Sequence, residues 1–289
     1  MIGFDEATTE AILAHPIADP LARASAWMNL WQAVRYGRLS PARYIDAVAH
    51  HGSEPDSSLL SAMTTNAAYA VENFMADRQV AREHWFELCL NAYEAALFDG
   101  ADDRVYVWRR ALVGAGATYP PGAQKLHALL TDIGDDKDQR WQVYISLAAV
   151  GKVDQGDLDK ELGQTPTEAD ILAHMQAGAA IPEHRQAAHD RALAEPMSND
   201  RMSALLAGAT ASFERINYPF FEIIEDVWRE RSQEIATRIV HALFPAGDEA
   251  IADGKAWLDG DGASAPAALR KIVIDRVDAR ERDVRVREG

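Results

Sequence analysis

Apolar positions recur at three- and four-residue intervals through nearly all of the chain. No segment alternates apolar and polar residues between hairpin turns of the Asn-Gly or Asp-Gly kind. That pattern predicts an all-α protein. From Asp19 to Tyr36, Ala24, Trp27, Trp31 and Val34 form one stripe and Ala26, Leu30 and Ala33 a second, so this helix is expected to be covered on two sides before Gly37 stops it. Ser40-Pro41 then supplies a capping hydroxyl and a proline at the first helical position, where the missing N–H costs nothing. The helix it opens runs to His51 and stops at Gly52. Together the two predict a short antiparallel pair.

The same punctuation returns down the chain. Asp56 caps a helix carrying Leu59, Leu60, Met63 and Ala67, and a longer one with Phe86, Cys89, Tyr93 and Leu97 ends before Gly100. Arg104 to Val113 follows, Tyr119-Pro120-Pro121 breaks the chain before Leu126, Leu129 and Leu130, and Trp141, Tyr144, Leu147 and Ala148 mark a stripe ending near Gly151. Thr165-Pro166-Thr167-Glu168 reads as a capping box, with helices following through Met175, through His189 and from Asn199 to Ala211. Tyr218-Pro219 opens a helix bearing Phe220, Phe221, Ile224, Val227 and Trp228, and another bears Ile235, Ile239 and Leu243. Stretches from Glu249 to Leu258 and from Ala268 to Val277 complete the series, and the charged tail after Asp278 is expected to fray.

About fourteen helices joined by short turns, with no long linker and no shift of composition, predict one domain over residues 1–289. Its expected architecture is an α-solenoid of HEAT or armadillo type, built from stacked antiparallel pairs. No register of about 40 residues returns the same letters, so any repeat is structural, and a compact multi-helix domain is the alternative.

Composition narrows the partners. The 289 residues are 48% hydrophobic and 26% charged, enough for a sizeable core, and 45 acidic against 29 basic residues give a net charge of −16. A surface of that sign repels phosphate backbones and anionic headgroups, so neither nucleic acid nor a membrane is an expected partner. The single cysteine, Cys89, excludes an internal disulfide framework and a cysteine-based metal cage, and with the acidic N-terminus and the absence of any long apolar window it points to the cytoplasm.

Candidate chemistry is sparse. The His-Glu-x-x-His pattern of a zinc peptidase is missing, and Glu183-His184 is followed by His189 at a spacing that leaves the shared helix face. Asp132, Asp135, Asp136 and Asp138 around Gly134 read as helix-capping carboxylates before a cation site, and Asp259-Gly260-Asp261-Gly262 lacks the later ligands of a calcium loop. Gly114-Ala115-Gly116 is no phosphate cradle, Cys89 sits on an apolar stripe, and no Gly-x-Ser-x-Gly elbow is present. His50-His51, in the last turn of their helix, suit the negative end of its dipole. The seven tryptophans each fall in a predicted helix and are expected to fill helix interfaces. Arg140 beside Trp141 is the pair to note, because a guanidinium near an aromatic on a concave helical face can hold a carboxylate terminus. The residues alone therefore predict no catalytic centre and no metal site, and default to a free-standing helical scaffold that binds a protein partner.

Several stretches nevertheless occur together in a distinctive order. They are Asp19-Pro20-Leu21-Ala22-Arg23-Ala24 leading to Trp27 and Trp31, and Arg38-Leu39-Ser40-Pro41-Ala42-Arg43-Tyr44 followed by Glu54-Pro55-Asp56-Ser57. Further on stand Lys137-Asp138-Gln139-Arg140-Trp141-Gln142 with Ala148-Ala149-Val150-Gly151-Lys152. Last come Tyr218-Pro219-Phe220-Phe221-Glu222, Val227-Trp228, Arg231-Ser232 and Leu243-Phe244-Pro245. In that order, from about Phe4 to about Val277, they resemble the C-terminal helical domain of zinc aminopeptidases of the aminopeptidase N type.

The resemblance implies a parent enzyme that removes N-terminal residues from peptides, with zinc and hydrolysis in a catalytic domain that would precede this chain and be its partner. The family's zinc motif, distal glutamate ligand and exopeptidase motif are all missing here, so no catalytic or metal residue carries over. Met1 is then expected to begin a fragment rather than the natural protein. The role implied for the domain is to close over the active-site chamber and shape peptide access. Arg140 is the candidate for contact with a peptide carboxylate, and Trp141, Tyr218 and Phe221 for lining, set against the plainer roles of core packing and helix capping.

Overall fold

The computed structural model describes residues 4–211 and 219–289, and these carry sixteen α-helices, three short 3-10 turns and no strand. The chain divides into two compact units, residues 1–115 with 282–289, and residues 116–281.

The first unit holds α1 (Glu6–Ala14), α2 (Pro20–Arg35), α3 (Pro41–His50), α4 (Ser57–Asn73), α5 (Arg78–Phe98) and nearly all of α6 (Asp102–Gly116). Helix α3 packs on α1, α2, α4 and α5. Between these helices lie the largest enclosed side chains of the unit, Tyr44, Trp85 and Trp108 among them, and Trp108 Nε1 donates to Gly52 O at 3.0 Å. A buried Arg23–Glu54 pair at 2.8 Å ties the start of α2 to the turn after α3.

The second unit follows as α7 (Ala123–Ile133), α8 (Lys137–Ala149), α9 (Gln155–Leu162), α10 (Glu168–Ala180), α11 (Arg185–Ala194), α12 (Asn199–Ala209), α13 (Phe220–Glu230), α14 (Gln233–Leu243), α15 (Glu249–Asp259) and most of α16 (Ala267–Glu288). Its packing is that of a solenoid. Helices pair as α7 with α8, α9 with α10, α11 with α12 and α13 with α14, while α8, α10, α12 and α14 stack one upon the next as a continuous row. Small residues set the closest approach: a Cβ on Gly208 of α12 would run into the Gln176 carbonyl and the Ala179 methyl of α10.

Local signals explain most of the boundaries. Asp5, Asp19, Asp56, Asp77, Asp136, Asp154, Thr167, Ser198 and Ser232 each accept a hydrogen bond from a backbone N–H in the first turn of the helix they cap. Asp136 is the carboxylate of the Gly134 cluster that caps α8.

Three sequence expectations need correction. The capping box of α10 is Thr167 with Asp170, not Thr165 with Glu168, because Pro166 lies ahead of the helix and Thr167 is the residue left extended at its start. Ser40 stands at the start of α3 but its hydroxyl makes no capping bond. The charged tail does not fray: α16 runs to Glu288, with Asp283 accepting from Tyr69 Oη at 3.0 Å and Val286 buried. His50 and His51 serve another helix as well as their own, since their Nε2 atoms lie 3.4 and 3.0 Å from Ala14 O and Leu13 O at the open end of α1. Helices α1 and α9 are too short to show a stripe, with nine and eight residues, and α9 is polar as well.

Candidate functional site

Helix α8 begins at the Asp136 cap, which brings Arg140 out one turn later against the ends of α7 and α9. Its Nε and Nη2 donate to Glu161 Oε1 and Oε2 at 2.7 and 2.6 Å, and its Nη1 donates to Leu130 O at 3.1 Å and Gly134 O at 3.2 Å. The guanidinium fork therefore already holds a carboxylate, while its remaining edge closes the last carbonyls of α7. Tyr144, one turn further along α8, has its phenol pKa pushed up by burial and then by the Glu161 charge.

Trp141 points the other way, into the core, where it is 2% exposed. Its Nε1 donates to Asp170 Oδ1 at 2.9 Å, and the same carboxylate accepts from Thr167 N and Thr167 Oγ1 through Oδ2 at 2.9 and 2.7 Å. One aspartate thus joins the start of α10 to the middle of α8. The Thr167 backbone bond, the Thr167 hydroxyl and the indole in turn hold the Asp170 carboxyl below its ordinary pKa. Phe221 sits elsewhere, half-buried on α13 against Phe220, Phe244 and Trp257, with ring centroids 5.0, 6.1 and 6.3 Å away. Arg140 and Trp141 share the α8 network and Phe221 does not join it; Tyr218 lies outside the described residues.

Beside this network the second unit opens a cavity of about 320 Å³. Its floor is apolar, made by Met175, Ala179, Ala188 and Leu205, and its rim carries Gln155, His174, His184 and Arg191. A shallower cavity of about 700 Å³ adjoins it and shares Gln155 and His184. His174 packs edge-on to Trp141 at 6.0 Å and places Nε2 2.8 Å from Asp159 Oδ1. Gln155 Nε2 donates to the same oxygen at 2.8 Å, and these two contacts, Gln155 first, draw the Asp159 pKa down. His184 Nδ1 donates to Gly178 O at 3.1 Å, which leaves Nε2 as the ring nitrogen available to a ligand. Gly178 is bare where Gln155 crosses it: a Cβ there would stand 3.1 Å from Gln155 Oε1.

Sequence reasoning weighed His184 as a metal ligand and passed over His174, and so missed this rim. His174 ends up beside His184 because α10 stops at Ala180 and the Pro182–His184 turn doubles back, a geometry without a letter code. Among the described residues no three His, Cys, Asp or Glu side chains are placed to hold a metal ion, and no helix is long and apolar enough to cross a membrane. Cys89 is fully enclosed, and burial raises its thiol pKa well above the ordinary value.

A family model described as the ERAP1-like C-terminal domain matches residues 2–282. Aminopeptidase N of Streptomyces lividans is 26% identical to the chain over an alignment of 308 positions, which takes in 98% of this chain and 35% of the relative. The chain spans about a third of the length of that curated relative.

Proposed function

Since the chain belongs to the ERAP1-like C-terminal domain family, we propose that it is the noncatalytic C-terminal domain of a zinc-dependent aminopeptidase. The observation that carries this reading is the extent of the match: one family model runs through both compact units, and the aligned relative, an aminopeptidase N, is almost three times as long. The same extent supports treating residues 1–289 as one functional domain. In this reading zinc, hydrolysis and the recognition of the peptide N-terminus belong to a catalytic domain outside the chain. The helical domain closes over the active-site chamber of that partner in the cytoplasm and shapes peptide access, a gating role that acts on turnover without touching the chemistry.

Peptide contact at Arg140, Trp141, Tyr218 and Phe221 is the finer part of the proposal and draws on the resemblance and on the adjacency of Arg140 and Trp141. The geometry of the first two favours scaffolding, because Arg140 would have to release Glu161 and Trp141 is enclosed.

The test pairs two assays on alanyl and leucyl anilides and on longer peptides. The isolated chain is expected to give no chelator-sensitive cleavage. Co-expression with a zinc-containing aminopeptidase fragment that lacks its helical domain is expected to change the length preference of that fragment. Robust chelator-sensitive activity of the chain alone, or an unaltered length preference, contradicts the proposal; tight capture of an unrelated protein with no such effect favours a free-standing scaffold.

A further inference from the structure

The cavity between α10, α11 and α12 combines an apolar floor with a nitrogen-rich rim. The chain carries a net charge of −16, yet among the described residues no carboxylate lines this cavity, whose polar groups are His174, His184, Arg191 and the Gln155 amide above an apolar floor. Its volume, about 320 Å³, lies near the lower end of the roughly 300–1,000 Å³ found for ligand pockets, which suits a compact molecule rather than an extended chain.

A carboxylate is already bound at its edge. Asp159 projects from the exposed face of α9; its Oδ1 accepts from Gln155 Nε2 at 2.8 Å and lies 2.8 Å from His174 Nε2, which is itself 3.0 Å from Gln155 Nε2. Those two nitrogens face the cavity, and the same oxygen could be supplied by a molecule sitting inside it. Arg191 lines the cavity as well and pairs with Glu195 through Nε and Nη2 on the surface of α11. Apolar floor, a rim of imidazole, amide and guanidinium groups, and a resident carboxylate define one ligand class.

The geometry points to a binding site for a small carboxylate with an apolar group, at Gln155, His174, His184 and Arg191, in which Asp159 is the built-in competitor. The ligand carboxylate takes the place of Asp159 on His174 and Gln155, its apolar part covers Ala179, Ala188 and Leu205, and α9 loses its tie to α10 at that end. The inference stands on the cavity alone and does not rest on the proposed function.

Hexanoate is the probe, with hexanol and hexylammonium as controls of the same size, titrated into the full chain while the imidazole resonances of His174 and His184 are followed by NMR. Saturable shifts are expected with hexanoate and not with the controls. Ala187→Trp, which fills the cavity from the exposed rim of α11, should weaken binding at least tenfold. Asp159→Asn, which swaps the competitor for a neutral amide at an exposed position, should strengthen it severalfold. Equal response to hexanol, or titration of both variants like the parent chain, would overturn the inference; the amide spectrum of each variant checks that it is folded.

Discussion

Without the Glu161 carboxylate, the Arg140 guanidinium would keep its two carbonyl contacts and its interaction with Tyr144 and stay partly buried, with its side chain 23% exposed. Glu161→Gln removes one charge from a bidentate pair and is expected to cost about 2 kcal/mol, read as a lower urea midpoint at unchanged slope. A midpoint within error of the parent would mean that the pair holds nothing. Asp170 makes a prediction in pH. Its folded pKa lies below the ordinary 3.8, so it stabilises the fold above that value, and the contribution is lost as pH falls through the lower, folded value. Asp170→Asn should therefore be less stable than the parent chain at neutral pH and converge with it in acid, and a constant gap down to pH 2 would contradict the assignment. Arg140 and Trp141 were legible as neighbours in sequence, and Trp141 as a core residue. Their partners were not: Glu161 lies on a helix with one buried apolar side chain, Leu158, and nothing in the letters ties Asp170 to an indole 29 residues away.

At the scale of elements, the apolar stripes of α2, α4, α5 and α14 were legible in the sequence, as were the start of α2 at Asp19 and the Asp56 cap of α4, while the Asp77 and Ser232 caps of α5 and α14 were not. The helices that escaped are held by side chains distant in sequence. Helix α1 is fastened by Arg43–Glu10 and by the His50 and His51 rings, and α9 by Arg140 and His174, so periodicity had little to read. The end of α16 is the clearest case, since its charged residues look solvated while Asp283 is 4% exposed against Tyr69 of α4. Truncation after Arg282 should thus speed amide hydrogen exchange in α4, in the first unit, and leave α10 and α12 unchanged. Exchange in α4 at the parent rate would show that the tail contributes no support.

On the scale of the whole molecule, the all-α class and the stacking of helix pairs could be read from the sequence, because both follow from short turns between amphipathic segments. The division into two units could not: it falls at 115/116 and 281/282, inside α6 and α16, where no break in periodicity or composition marks it. The resemblance read from ordered motifs agrees with the family to which the chain belongs, while the cavity at His174 and His184 is formed by residues that no sequence motif ties together. The central claim, that this helical domain serves a larger aminopeptidase, is tested most directly by the size of the native polypeptide in its source cells, measured with an antibody raised to this chain. The account predicts a band well above 31.8 kDa whose upstream peptides contain the His-Glu-x-x-His motif, and a native band at 31.8 kDa would contradict it.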